Sequence, residues 1–179
     1  MGFDPLRSTP AAAVPNVGPS APHPAAPAQP TFDNHKTTAG ASVLVLDGEP
    51  AMRSFIQRGL SRHFALVETA SSRLEAEDLL RRCHFDLLIA DIGPAGTDGL
   101  AWVERLRAQG SSLELIFVAA DADLERAIAA LRAGACDLLI KPFRIEQLLA
   151  AARRGAERRS AGRERFILQR EAGQQILGG

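Results

Sequence analysis

Five short apolar runs alternate with stretches of helical periodicity between residues 42 and 157, and this alternation limits the possible folds more than any other feature. The apolar runs are SVLVL, ALVETA, FDLLIAD, LELIFVA and CDLLI. Each run is followed by a segment in which apolar side chains recur every three or four residues, as on one face of an amphipathic helix. Repeated pairs of strand and helix predict an α/β domain with a parallel sheet.

The apolar runs carry hydrophobic side chains on both faces, as strands buried between two layers do. We therefore predict a doubly wound five-stranded parallel sheet with helices on both faces. The first two helical segments are predicted to turn these side chains inward: Met52, Phe55, Ile56, Leu60, Leu74, Leu79, Leu80 and Cys83. Gly110 and Gly134 are predicted to end the third and fourth helices, and Asp121 or Asp123 to cap the fourth.

The composition is that of an ordinary globular protein, with 46% hydrophobic and 23% charged residues. Its 21 basic and 21 acidic side chains create no global field that would attract nucleic acid or an anionic membrane. Cys83 and Cys136 lack the spacing of a zinc site or a disulfide framework, so both are expected to pack in the protein. Because the chain shows neither a membrane-length apolar run nor a signal peptide, we expect a cytoplasmic protein without membrane insertion.

The two ends of the chain differ in composition from the region between them. Residues 1–40 contain eight of the eleven prolines and are predicted to be a disordered tail. Residues 41–157 form the predicted domain, and residues 158–179 form a basic extension, partly helical or disordered. Between Arg153 and Glu171 there are seven arginines and three glutamates, which favours a solvated or partner-binding helix. This extension is too short for a helix-turn-helix domain, so we do not expect direct DNA binding.

Charged side chains follow three of the predicted strands. Asp47 and Glu49 come after the first strand, Asp91 ends the third, and Lys141 ends the fifth. Because parallel strands end at the same edge of the sheet, these side chains are predicted to meet there. Glu49 also stands where an acid can cap the next helix, and both roles are open for it.

The chemistry of such a group suits a hard cation and a phosphoryl group. Carboxylate oxygens are ligands that Mg²⁺ prefers, and a compact ammonium such as that of Lys141 suits a phosphate oxygen or a carboxylate. A carboxylate such as Asp91, at the end of a buried strand, needs a compensating cation. An aspartate can also act as a nucleophile and form an acyl phosphate.

Three motifs give the chain a family resemblance: VLVLDGEPAMR, FDLLIADIGPAGTDGL and ALRAGACDLLIKPF. Residues 42–157 resemble the receiver domain of a bacterial two-component response regulator. The resemblance implies a flavodoxin-like sheet with strand order 2-1-3-4-5. It also implies that Asp98 and Gly99 cap and shape the third helix, and that the bond between Lys141 and Pro142 is often cis.

The resemblance also implies roles for the residues at the sheet edge. Asp91 corresponds to the phosphoacceptor, and Lys141 to the residue that contacts the phosphoryl group. Mg²⁺ would be held by Asp47, Glu49 and Asp91 and by the backbone carbonyl of Gly93.

Three positions depart from the family pattern. Gly48 stands where a second acid normally binds the metal directly, so Mg²⁺ binding is expected to be weakened. Ala119 replaces the hydroxyl residue that ends the fourth strand, and Leu138 replaces the switch aromatic of the fifth. Since the chain contains no tyrosine, a coupled hydroxyl and aromatic switch cannot operate in its usual form.

We therefore predict a signalling protein rather than an enzyme, and three functions are compared. In the first, a sensor histidine kinase or a histidine phosphotransfer protein phosphorylates Asp91, and the fourth helix, fifth strand and fifth helix then bind a downstream protein. In the second, the domain is a pseudo-receiver that interacts without phosphorylation, which Gly48 and Ala119 favour. In the third, Asp47 is the nucleophile of a phosphohydrolase resembling haloacid dehalogenases, a pattern that Glu49 matches poorly.

Overall fold

A computed structural model of the protein describes residues 38–92, 97–120 and 124–176. Its strands are β1 Ser42–Leu46, β2 Leu66–Ala70, β3 Leu87–Asp91, β4 Glu114–Ala119 and β5 Asp137–Ile140. Its helices are α1 Pro50–Leu60, α2 Arg73–Arg82, α3 Thr97–Ala108, α4 Leu124–Arg132 and α5 Ile145–Ile176. Strands and helices alternate along the chain, as the sequence predicts. The predicted N-terminal tail lies outside the described residues apart from its last three positions.

The five strands form one parallel sheet in the order β2-β1-β3-β4-β5. This order confirms the predicted flavodoxin-like topology, with β1, β3 and β4 inside the sheet. The pairing places Leu46 beside Ala90, and Asp91 beside Val118. The carboxyl ends of β1, β3 and β4 therefore reach the same edge of the sheet, where the charged residues were expected to meet.

The sheet is covered on both faces, because alternate residues of each strand point to opposite sides. Ile56 and Leu60 of α1 and Leu148 of α5 pack on one face. Trp102 and Val103 of α3 pack on the other face, together with residues of α2 and α4. Each large side chain buried in this way contributes about 1.5–3 kcal/mol. Burial on both faces explains why the strands are apolar throughout.

Helix α5 lies so close to the sheet that it needs a glycine at its crossing point. A Cβ atom added to Gly155 would lie 2.5 Å from Cδ2 of Leu87 in β3. Helix α5 then continues to Ile176, well beyond residue 157, near which its end is predicted from the sequence. The predicted basic extension is therefore helical and continuous with α5 as far as Ile176.

The predicted helix ends are confirmed where the structure describes them. Gly110 and Gly134 both have positive φ angles, of 84° and 81°, which glycine adopts without steric cost. Asp121 and Asp123 lie outside the described residues. Over the described ranges, the chain has no helix with both the length and the apolar character that a membrane crossing requires.

Three side chains predicted to face the sheet do not lie in the core. Leu74 is 75% exposed, Phe55 is 36% exposed, and Cys83 is exposed at the end of α2. The periodic pattern was wrong for Leu74 and Cys83, because the buried face of α2 is formed by Ala76, with Leu79 and Leu80 half-buried beside it. The other predicted side chains are buried, or half-buried against a core cluster: Met52, Ile56, Leu60, Leu79 and Leu80.

The two cysteines differ in their surroundings, although both were expected to pack. Cys136 packs against the core cluster beneath α5, whereas Cys83 is exposed. Burial, followed by the charge of Glu114, raises the pKa of the Cys136 thiol to about 11. Cys136 therefore stays protonated at neutral pH and acts as a packing residue.

Candidate functional site

Three of the charged residues predicted to meet at the sheet edge are in direct contact. The Lys141 ammonium donates hydrogen bonds to Oδ2 of Asp47 at 3.0 Å and to Oδ2 of Asp91 at 2.9 Å. Asp47 follows β1, Asp91 ends β3 and Lys141 follows β5, so the three reach each other only when the sheet has formed. One ammonium is thus shared by two carboxylates, and the group keeps a net negative charge.

The two carboxylates differ in accessibility. The Asp47 side chain is 3% exposed, and its Oδ1 accepts a hydrogen bond from the backbone N–H of Glu49 at 2.7 Å. The Asp91 side chain is 21% exposed. Asp47 is therefore held inside the loop, while Asp91 is the carboxylate of this pair that an incoming group can reach.

Lys141 is held in its charged form by its neighbours. Burial lowers the pKa of Lys141, but the hydrogen bonds and negative charges of Asp91 and Asp47 raise it by more, so the net pKa lies above the ordinary lysine value. The ammonium is therefore charged throughout the physiological range.

The backbone also fixes Lys141. The bond between Lys141 and Pro142 is cis, in agreement with the expectation. The N–H of Lys141 donates to the carbonyl of Ala119 at the end of β4, at 2.8 Å. The loop after β5 is thus tied to the neighbouring strand.

Glu49 is not part of this group of contacts. Its side chain is exposed, and although Glu49 occupies the N-cap position of α1, that side chain accepts no capping hydrogen bond. Across the described ranges, no three His, Cys, Asp or Glu residues are grouped closely enough to hold a metal ion. Gly93, whose carbonyl was predicted to be a metal ligand, lies outside those ranges.

The residues present at the edge are nevertheless compatible with Mg²⁺. This ion is commonly held by one or two carboxylates and keeps several water ligands. Asp47 and Asp91 supply two carboxylates that share a single cation. Gly48 is exposed, and a Cβ atom at this position would meet no atom within 4 Å. The space that a second carboxylate would occupy at position 48 is therefore open, and a water molecule can take its place as a metal ligand.

Arg53 belongs to the site, although the sequence analysis did not identify it. Its guanidinium Nη1 donates to the backbone carbonyl of Asp47 at 2.7 Å. Arg53 lies in the first turn of α1, so it reaches back over the loop that carries Asp47. The sequence feature that could have indicated this role is the position of Arg53 on the helix that follows the loop of Asp47 and Glu49.

The two predicted switch positions are both packed. Ala119 is 2% exposed at the end of β4, where it has no side-chain donor. Leu138 is half-buried, pairs with Phe117 in the sheet, and packs against the cluster formed with α2, α3 and α4. Gly99 lies in the first turn of α3, while the side chain of Asp98 is outside the described part of the structure.

The fold agrees with what the chain resembles among known proteins. The response regulator receiver domain family matches residues 43–153. The chain therefore belongs to this family and contains a receiver domain of a two-component response regulator. Domains of this family are generally signalling modules, and they generally bind Mg²⁺ at an acidic pocket.

The chain is similar to characterised response regulators over this region. It is 36% identical over 111 residues to the response regulator MprA of Mycobacterium sp. (strain KMS), which covers 62% of the chain and 48% of that protein. The MprA protein of Mycobacterium leprae is 35% identical over the same length. The chain thus spans about half the length of the curated relatives it matches.

Solved structures resemble this fold over a similar extent. A response regulator from Thermotoga maritima has a TM-score of 0.62 and 27% identity, covering 66% of this chain and 98% of its own. NtrX from Brucella abortus, solved in complex with ADP, has a TM-score of 0.68 and 28% identity, covering 75% of this chain and 30% of its own.

Proposed function

We propose that Asp91 accepts a phosphoryl group from a sensor histidine kinase or a histidine phosphotransfer protein of a bacterial phosphorelay. The observation that carries this proposal is the partly exposed Asp91 carboxylate beside the Lys141 ammonium. In the transfer, a carboxylate oxygen of Asp91 forms a bond to phosphorus while the P–N bond of the donor phosphohistidine breaks. The imidazole leaves and takes up a proton.

Lys141 has two roles in this proposal. Before transfer it neutralises part of the charge on Asp47 and Asp91, which it contacts. After transfer its ammonium donates to an oxygen of the new phosphoryl group, where negative charge accumulates. Despite the burial of Lys141, the hydrogen bonds and charges of Asp91 and Asp47 raise its pKa above the ordinary lysine value, so the donor is charged before the transfer begins.

Mg²⁺ would be held by Asp47 and Asp91, with the carbonyl of Gly93 and water completing its ligands. When bound, the ion neutralises charge on the phosphoryl oxygens. Glu49 would need to rotate inward to bind the ion directly, because its side chain is exposed. Gly48 provides no ligand, so Mg²⁺ should bind more weakly than it would to a site with two acids after β1. Arg53 would position the loop by holding the carbonyl of Asp47.

The phosphorylated form would signal by contact with a downstream protein in the cytoplasm. A groove of about 490 Å³ lies between β5 and α5, and its lining includes Leu138, Phe143 and Arg154. It belongs to the surface of α4, β5 and α5 that we expect the partner to bind. Because Ala119 and Leu138 provide neither a hydroxyl nor an aromatic ring, the change at this surface must use backbone shifts or other side chains.

The phosphohydrolase alternative is disfavoured by the position of Asp47. This carboxylate is 3% exposed and is engaged by Lys141 and by the N–H of Glu49, so it cannot approach a substrate phosphorus without leaving both partners. The pseudo-receiver alternative rests on Gly48 and Ala119, and the phosphorylation experiment separates it from our proposal.

The decisive experiment is incubation of the full chain with a small phosphodonor and Mg²⁺, followed by intact-mass measurement. The wild type should gain one phosphoryl group that is stable in acid and labile in base. Asp91→Asn should gain none, because an amide oxygen is a poor nucleophile. Asp137→Asn, at the start of β5, is the matched control and should label like the wild type. An unlabelled wild type at high Mg²⁺ would reject the proposal and favour the pseudo-receiver.

A further inference from the structure

The part of α5 that extends past the sheet carries large apolar side chains on its surface. Residues 161–170, which we call the exposed segment of α5, are all exposed, although Leu148 of the same helix is fully buried. Three consecutive side chains of this segment are apolar: Phe166 is 60% exposed, Ile167 is 54% exposed and Leu168 is 64% exposed. Adjoining apolar side chains on a surface mark an interaction site, whereas solitary ones do not.

The exposed segment lacks the packing on which most helices depend. Helices in proteins are stabilised mainly by packing of an apolar face. The domain supplies such packing as far as Ala156, which is 3% exposed, and it holds Arg163 through an ion pair with Asp86. Beyond Arg163, the guanidinium of Arg170 lies 5.9 Å from the ring centre of Phe166, which is a contact within the helix. A second surface that covers the apolar side chains would therefore stabilise this segment.

The apolar side chains form the centre of a face that also carries two opposite charges. Successive residues of an α-helix are about 100° apart around its axis, so Phe166 and Leu168 flank Ile167 on its two sides. Residues three positions away in either direction share a face, which places Glu164 and Arg170 above and below Ile167. Glu164 forms no ion pair with the residues that the structure describes. This face thus has an apolar centre, an acid one turn before it and a base one turn after it.

Such a face is complementary to a second copy of itself in one direction only. In an antiparallel pair with Ile167 opposite Ile167, Glu164 of each copy faces Arg170 of the other, and Phe166 lies beside Leu168. In a parallel pair, residues of the same number meet, so that acid faces acid and base faces base, which is repulsive. Arg163 also borders the face, but Asp86 compensates its charge. A two-fold axis through Ile167 satisfies both charges of each copy, as in the isologous contacts of symmetric dimers.

We propose that the exposed segment of α5 pairs with the same segment of a second copy of this chain, in an antiparallel contact centred on Ile167. The apolar side chains of both copies are then removed from water, and the two pairs of Glu164 with Arg170 set the direction. A contact between two short helical segments is small, so we expect a Kd on the order of 10–100 µM. The exposed segment begins near Asp86, which precedes β3, whereas Asp91 ends β3 at the opposite edge of the sheet. The pairing is therefore independent of phosphorylation.

Sedimentation of the full chain over a range of concentrations, without a phosphodonor, tests the pairing. The wild type should change from monomer to dimer as its concentration passes through the Kd. Ile167→Glu should raise the Kd at least about tenfold, because it places a charge at the centre of the contact. Leu74→Glu is the matched control, since Leu74 is a 75% exposed side chain of α2, and it should leave the Kd unchanged. A wild type that stays monomeric, or an equal loss in both variants, would overturn the proposal.

Charge reversals test the direction of the pair. Glu164→Arg and Arg170→Glu should each raise the Kd about tenfold, because two attractive contacts become repulsive in the symmetric dimer. The double variant, and an equimolar mixture of the two single variants, should associate like the wild type, since opposite charges face each other again. Recovery in the mixture also shows that each single variant is folded. Unchanged Kd values in the single variants, or a double variant as weak as either of them, would contradict the antiparallel contact.

Discussion

The two edges of the sheet use opposite charge arrangements. At the carboxyl edge, Asp47 and Asp91 share one ammonium, that of Lys141, so negative charge is in excess. At the amino edge, the buried Asp86 lies close to both Arg159 and Arg163, so positive charge is in excess. The two edges of one fold thus carry opposite charge, and whereas the carboxyl-edge residues stand at strand ends, the amino-edge cluster also includes two arginines of α5.

The largest effect is expected at the carboxyl edge, from Lys141→Met. Loss of the ammonium leaves Asp47 and Asp91 uncompensated and removes the donor to the phosphoryl group. The rate of phosphorylation should fall on the order of a hundredfold. Without Mg²⁺, the free energy of unfolding should fall by about 2 kcal/mol, because Asp47 stays buried without its partner. Phosphodonor kinetics and urea denaturation at pH 7 measure the two effects.

Lys141→Arg is the control, because it keeps the charge while changing the shape of the donor. Lys141→Arg should retain most of the free energy of unfolding, but its rate of phosphorylation should still be lower than that of the wild type. Because the folded pKa of Lys141 is raised, the stabilisation by this cation is present at neutral pH and is lost only as pH rises through that raised value. If Lys141→Met were as stable as the wild type at pH 7, the stability of the fold would not depend on the pairing of Asp47 and Asp91 with this ammonium.

Asp86→Asn tests the amino edge. It removes the charge that Arg159 and Arg163 approach, while the amide oxygen can still accept from Ser42. We expect a loss of about 2 kcal/mol in unfolding free energy, and faster amide hydrogen exchange in residues 159–170. Asp78→Asn, which breaks only exposed pairs with Arg81 and Arg82, should change stability by less than about 0.5 kcal/mol. Equal effects of the two variants would contradict the importance of burial at Asp86.

Substitutions at Gly155 and Gly162 test the difference between the part of α5 that packs on the sheet and the part that extends past it. Gly155→Ala should destabilise the protein by about 1–3 kcal/mol, because the new methyl group meets Leu87. Gly162→Ala meets no atom within 4 Å and should stabilise the helix by about 0.5–1 kcal/mol. Thermal denaturation of both variants measures the difference. Stabilisation by both substitutions would mean that α5 is not held against β3.

The smallest effect is expected from restoring the missing acid with Gly48→Asp. Gly48 has open space around it, so a carboxylate fits without a clash. An added negative ligand should lower the Kd for Mg²⁺ about tenfold, as measured by calorimetry. Gly48→Asn has the same shape without the charge and should change the affinity less. An unchanged Kd in Gly48→Asp would show that this position does not face the metal.

Much of the carboxyl edge could be predicted because it depends on local order along the chain. Asp91 and Lys141 end their strands, and parallel strands end together, so their meeting follows from the alternation of strands and helices. The contact of Arg53 with Asp47 could not be predicted, because it depends on the orientation of the first turn of α1 relative to the loop that carries Asp47. The packing of Cys136 against α5 likewise could not be predicted, because it depends on the approach of Gly155 in α5, which is far away in the chain.

The sequence by itself determined the class of fold, the order of the elements and the residues at the strand ends, because hydrophobic periodicity and chain connectivity are local properties. The tertiary structure alone decided which carboxylate is accessible, how far α5 continues as a helix, and which arginines gather around Asp86. The accessibility of the carboxylates and the cluster around Asp86 depend on contacts between residues far apart in the chain, such as Asp86 with Arg159, and a pattern of neighbouring residues does not encode such distances.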